Sequence, residues 1–198
     1  MPSVIDKYYN LENWIESGPS DFLNPVSDSS PNSPLVSAWT PQWVIRNTIF
    51  FESLIDGYDK DSAPCLFVKF GVARLTTYDS TREMSANGKA VMHPVVVRMK
   101  YGSWAPLIQE ALAAGKNVSE TTIYRFASVQ GVNVAIQEYV IYDTTVIRYE
   151  QIKDEIVFLL VGTKYDDICC TVDKTGAKIG NTSVQWDLGI SKVEAKDE

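Results

Sequence analysis

The 198-residue sequence predicts a mainly β protein, an antiparallel two-sheet β-barrel or sandwich with one short packed α-helix at about residues 104–114. Three observations carry this reading. Runs rich in β-branched and aromatic residues recur from Val44 to Leu188, separated by Gly, Asn and Asp turn signals. Only one stretch, around Trp104 to Ala114, shows clear helical periodicity. Finally, Glu155 to Lys164 is a nearly unbroken apolar run, as expected of a strand buried on both faces.

The elements follow in order. Val44 to Leu54 reads as a strand, Asp56-Gly57 and Asp59-Lys60-Asp61 as a turn, and Cys65 to Leu75 as a strand with Leu66, Val68 and Phe70 on one face. Thr76 to Lys89 is polar and ends in Asn87-Gly88, a turn signal because both residues tolerate positive φ. Val91 to Tyr101 resumes as a strand, with Pro94 arguing for an edge or a bulge because it lacks an N–H. After the helix come Thr121 to Val129, a tight turn at Gln130-Gly131, and Val132 to Ile147, long enough to bend or bulge once. Ile168 to Val172, a turn at Asp173 to Gly176, and Val184 to Leu188 complete about eight strands.

The helix has readable ends. Ser103 is placed to be an N-cap, Pro106 is tolerated in the first turn, and Gly115 fits the left-handed position beyond the last turn. Trp104, Leu107, Ile108, Ala111 and Leu112 recur at helical spacing and are expected to form its packing face. An anion site at this N-terminus would need room for a ligand, and Trp104 and Pro106 obstruct it.

Residues 1–43 differ from the rest. Six of the nine prolines lie in the first 48 residues, and residues 17–37 contain seven serines, so neither a long helix nor a central strand is supported. Yet Trp14, Phe22, Leu23, Trp39 and Trp43 also fall there. The expectation is an irregular strap, with a short helix at 5–15, whose aromatics dock on a domain spanning 44–190; residues 191–198 read as a charged tail.

Composition excludes several functions. A net charge of −7 and a pI near 4.8, with no basic cluster, disfavour nucleic acid as a partner. No stretch of about 18 apolar residues could span a membrane. The N-terminal residues lack a signal-peptide pattern, so cytoplasmic synthesis is expected, with any export by another route. Three cysteines, Cys65 and the neighbours Cys169 and Cys170, make no disulfide framework.

Catalytic and metal chemistry have little foothold. The single histidine, His93, rules out clusters of imidazole ligands, and a Cys/His nucleophilic site would need it beside one of the three cysteines. Asp166-Asp167 and Asp173 read as solvated loop acids rather than a cation site, since their spacing does not match a calcium loop. No dinucleotide, Walker or nucleophile-elbow motif occurs. The chain is expected to be no enzyme, with no catalytic residues, no cofactor and no metal. A barrel binding a small molecule between Trp and Tyr side chains stays open as an alternative.

At the helix the sequence resembles a known family. Ser103, Pro106, Leu107, Ala111, Gly115 and Lys116, followed by Thr121 to Val129, Gln130-Gly131 and Val132 to Ile147, match in order and spacing the haemolysin co-regulated protein (Hcp) family of bacterial type VI secretion systems. The end is similar too: Ile156 to Val161, Tyr165, the turn at Asp173 to Gly176, then Val184 to Leu188. Tyr101 to Pro106 departs from the acidic residue and Ser-Pro pair common in that family, and the first 48 residues exceed its usual lead-in. The resemblance implies homo-hexameric rings stacked into a tube, with sheath, tip and effector proteins as further partners, and export without a signal peptide. A phage-tail-like tube or baseplate component is the neighbouring alternative. The family's extended loop, used in ring-to-ring contact, corresponds to Thr76 to Lys89, which assigns stacking to Thr76, Tyr78, Asp79, Arg82, Glu83, Asn87 and Lys89.

Overall fold

The structure, a computed structural model, describes residues 43–47, 61–74, 77–78, 84–85, 90–129, 131–188 and 192–197. The expected helix at 5–15 and most of the strap lie outside them. Strands β1 to β8 are Trp43–Arg46, Ser62–Cys65, Phe67–Lys69, Val72–Arg74, Thr77–Tyr78, Met84–Ser85, Ala90–Met92 and Val95–Lys100. Helix α1, Trp104–Ala114, follows. Strands β9 to β15 are Thr121–Val129, Val132–Tyr142, Thr145–Ile152, Glu155–Val161, Lys164–Val172, Lys178–Asp187 and Lys192–Asp197.

These strands form two antiparallel sheets. The larger has the order β15-β14-β13-β10-β9-β1-β2 and the smaller β11-β12-β8-β3. They meet at one corner, where β2 ends at Cys65, the chain bends, and the Leu66 N–H donates to the Arg98 carbonyl (2.8 Å) before β3 begins. On the opposite side β11 and β15 each pair with one neighbour among the described residues, so the sheets form a sandwich rather than a closed barrel.

Alternation fills the space between them. Val95, Val97 and Met99 of β8 and Ile156, Phe158 and Leu160 of β12 turn inward, against Ile45, Ile123, Tyr139, Ile141 and Tyr165 of the larger sheet. Phe70 stacks on Tyr139 at 4.3 Å and joins Trp43 to this core edge-on. Pro94 lies with His93 in a break between β7 and β8, so β8 is an internal strand and neither the edge nor the bulge expected from its proline is needed.

Helix α1 spans the expected residues and packs along β11. Its C-terminus closes as a Schellman motif: Gly115 adopts φ +58°, its N–H donates to Leu112 O, and Lys116 N–H donates to Ala111 O. Ser103, in contrast, is itself in the right-handed helical region and makes no side-chain cap bond. The buried face is Trp104, Ala105, Ile108 and Ala111, with Leu112 half-buried against the core. Leu107 is 40% exposed, which corrects its expected place on that face. At about 100° per residue the buried stripe centres between Trp104 and Ala105, and Leu107 falls on its flank. Gly102 is explained by the same packing, because a Cβ there would sit 2.6 Å from the Trp104 ring, whose N–H donates to Lys100 O.

Three further differences from the sequence reading have physical causes. Thr145 to Ile152 forms a strand of its own, β11, after a reversal at Asp143 and Thr144; its polar Arg148, Glu150 and Gln151 hid it. Residues 192–197, expected as tail, pair with β14 as the edge strand β15. Asp166 and Asp167 lie inside β13, not in a loop, where they accept hydrogen bonds across the sheet.

Candidate assembly surface

Between β3 and β8 in the chain lie two short strand ladders, which make up a ribbon. β4 pairs with β7 from Val72↔Met92 to Arg74↔Ala90, and β5 pairs with β6 at Thr77↔Ser85 and Tyr78↔Met84. The His93 N–H donates to Gly71 O (2.9 Å) at its root. The Asn87-Gly88 turn signal lies outside the described residues. Of the residues expected to stack, Tyr78 belongs to β5; Thr76, Asp79, Arg82, Glu83, Asn87 and Lys89 lie outside the described residues. Val72 and Val91, near the root, expose large apolar side chains.

The second feature is an overhang. β10, β13 and β14 run for 11, 9 and 10 residues, whereas β8 and β12 have 6 and 7. The inner face of the larger sheet therefore continues past the apolar core into polar residues. Two positions beyond core residue Tyr139, Gln137 Nε2 donates to Asp167 Oδ1 (2.8 Å), and its cross-strand partner Cys169 is exposed. Arg125 places its guanidinium over the Trp43 ring, 5.5 Å from the centroid. Burial raises the Asp167 carboxyl above its ordinary range, opposed by the Gln137 hydrogen bond. On the outer face burial likewise raises Glu138, opposed chiefly by Lys178.

At the opposite end, buried polar groups fix the loops. Asn47 Nδ2 donates to the carbonyls of Val118 and Glu120 (3.2 Å each) and to Thr121 Oγ1 (2.9 Å). Thr144 exchanges backbone bonds with Val118 and Ser119, and its hydroxyl donates to Ile141 O. No sequence motif marks Asn47 or Thr144; their signal is burial, which spacing alone does not reveal.

Beside these loops lies an open groove of about 420 Å³, lined by Ser119, Glu120, Tyr142, Asp143, Thr163, Lys164 and Asp187. Tyr142 donates its hydroxyl to Asp166 (2.8 Å), and the Lys164 ammonium sits 4.7 Å from its ring centroid. Burial, then Asp166, pushes the Tyr142 phenol up to about 12. The groove is a rim feature, not the aromatic interior pocket that a ligand-binding barrel needs.

The buried nucleophile candidate, Cys65, is not activated. Cys65 is buried and its thiol is pushed well up by burial, the reverse of what an attacking thiolate requires. His93 is buried at the ribbon root, its pKa lowered first by burial and then by Lys69. Among the described residues no group of three or more His, Cys, Asp and Glu is arranged to hold a metal, and no helix is long and apolar enough to cross a membrane. Asp173 serves its turn, accepting from Thr175 N, Thr175 Oγ1 and Ala177 N.

No protein-family model and no curated protein matches the chain. Solved structures do. A structure described as a type six secretion system protein is similar with a TM-score of 0.68 and 18% identity, over 78% of this chain and 100% of its own. Hcp1 from Salmonella typhimurium follows at 0.59 and 13%, over 77% of this chain and 97% of its own. A type VI secretion system effector from Yersinia pestis gives 0.55 and 14%, over 73% and 98%. Sandwich, helix and ribbon together thus give this chain the fold of the Hcp proteins of type VI secretion systems.

Proposed function

We propose that the chain is a structural subunit of a type VI secretion inner tube, forming hexameric rings that stack and carry effectors in the lumen. The observation that carries this reading is the fold likeness, which takes in 97% or more of the similar chains. Three physical features support it. The edges of β11 beyond Thr145 and of β15, which pair with no further strand among the described residues, and the polar overhang suit contact with neighbouring copies. The ribbon is the proposed stacking element, with Thr76, Tyr78, Asp79, Arg82, Glu83, Asn87 and Lys89 as its proposed contacts. An interior packed by aliphatic and aromatic side chains supports a structural role rather than a catalytic one. Sheath, tip and effector proteins are the further partners on this reading, and export through the machine replaces a signal peptide.

Light scattering on the purified chain tests it, with a mass of six 22.1 kDa subunits expected for a ring. Reversing the ribbon charges, Arg82→Glu with Glu83→Lys, should leave that ring mass intact and abolish longer stacks in electron micrographs. A strictly monomeric mass at high concentration would count against the whole reading.

A further inference from the structure

The two ends of the β13–β14 ladder carry opposite charge. At one end Lys164 stands opposite Asp187, and both line the rim groove together with Glu120 and Asp143. Lys192 is the register partner of Asp187, and the Lys164 ammonium lies over the Tyr142 ring, so Glu120 and Asp143 are the acids that remain for a ligand. Both occupy exposed positions. Asp143 accepts from the Thr163 hydroxyl, and among the described residues no ion pair reaches either carboxylate.

At the other end Val172 stands opposite Lys178, and the turn between them is basic. Within residues 171–180 Lys174 and Lys178 are the cations and Asp173 the one acid. Asp173 turns its carboxylate back into the turn, where Thr175 N, Thr175 Oγ1 and Ala177 N donate to it. Lys178 acts on Glu138 of its own sheet. Lys174 is exposed, and among the described residues it has no ion pair. The turn that presents it is braced, because Gly176 adopts φ +87° and lies so near Val134 that a Cβ there would come within 3.2 Å of its Cγ2.

We propose that the groove takes the Lys174 turn of a second copy, pairing that ammonium with Glu120 and Asp143. The eight strand steps from Lys164 to Val172 span about 26 Å, so Lys174 does not reach the groove of its own chain. The opposite charges are met only between molecules. Donor and acceptor lie at opposite ends of one ladder, so the contact is heterologous and joins copies end to end. The groove is open and about 420 Å³ in volume, which admits a side chain from outside. A divalent cation suits it less, since among the described residues no three His, Cys, Asp or Glu are grouped to hold one. An exposed ion pair adds little affinity alone but fixes register, and repetition around a ring multiplies it. The inference rests on the stacked-ring reading for that repetition and gives it a contact apart from the ribbon; the pairing itself needs only two copies.

Carbodiimide coupling of an equal mixture of ¹⁴N- and ¹⁵N-labelled full chains tests the proposal, because it joins an amine to a carboxylate only where they touch. Mass spectrometry is expected to find mixed-isotope peptide pairs linking Lys174 to Glu120 or Asp143. Lys174→Glu should shorten stacks in electron micrographs at least tenfold without changing the ring mass, as should Glu120→Lys, and the two together should restore them. Groove carboxylates coupled only to other lysines, Lys174 pairs of a single isotope, or full-length stacks in Lys174→Glu would overturn the contact. Mixed-isotope Lys174 pairs in a preparation without ring mass would support the contact and count against the ring.

Discussion

The smaller sheet and the far half of the larger one differ in strand length, 6 and 7 residues for β8 and β12 against 9 and 10 for β13 and β14, and in burial. β8 and β12 are buried on both faces at Val96, Val97, Phe158 and Leu159, whereas β14, further out, has no buried residue along Lys178–Asp187. The difference separates two tasks. Apolar burial stabilises the fold where the sheets overlap, and on the proposed assembly the polar, half-exposed strands beyond it are the surface for neighbouring copies.

Substitutions can break or sharpen this contrast. The largest effect is expected from Ile108→Asp, which puts an unpaired carboxylate under α1 and should cost at least about 4 kcal/mol, enough to lose soluble folded protein. Leu107→Asp, one residue away on the exposed flank, should change stability by no more than about 0.5 kcal/mol in urea titrations. Equal damage from both would show that the helix face is misplaced. Phe158→Ala, a core truncation in the smaller sheet, is expected to cost about 3–5 kcal/mol. Asn47→Ala should follow at about 1–3 kcal/mol, because the buried Val118 carbonyl loses its Asn47 partner. Chemical denaturation measures both, and a neutral Asn47→Ala would make the loop clamp dispensable.

A small effect of opposite sign belongs to the overhang. Burial raises the folded-state pKa of Asp167 above its unfolded value, so the folded protein holds that proton more tightly. Stability therefore falls as pH rises from the unfolded pKa through the folded one, and the full cost is present above both. Asp167→Asn keeps an oxygen acceptor for Gln137 and removes the charge. It should stabilise the protein at neutral pH by less than about 1 kcal/mol and give no gain below the ordinary carboxylate range. Melting curves of both proteins across pH would expose a gain at low pH, the opposite sign.

What the sequence made legible follows the same division. Helix α1 and β9 have the expected bounds because periodicity and turn residues agreed there, at Trp104, Gly115 and Gly131. The doubly buried β12 was readable from its unbroken apolar run. Where strands lie in the overhang or at an edge, polar residues replace the alternation that reveals a strand. Asp166-Asp167 therefore read as a loop, β14 read as half its length, and β15 read as tail. Asn47 and Thr144 carry no motif, since their role comes from loops brought together by folding. The ribbon was legible as a polar insertion between strands, and within it Thr77 and Tyr78 pair with Ser85 and Met84.

Negative-stain imaging of the purified chain tests the central claim most directly. Class averages should show six-subunit rings with a central opening, some stacked end to end. A uniform field of single 22.1 kDa particles at the highest soluble concentration would contradict it.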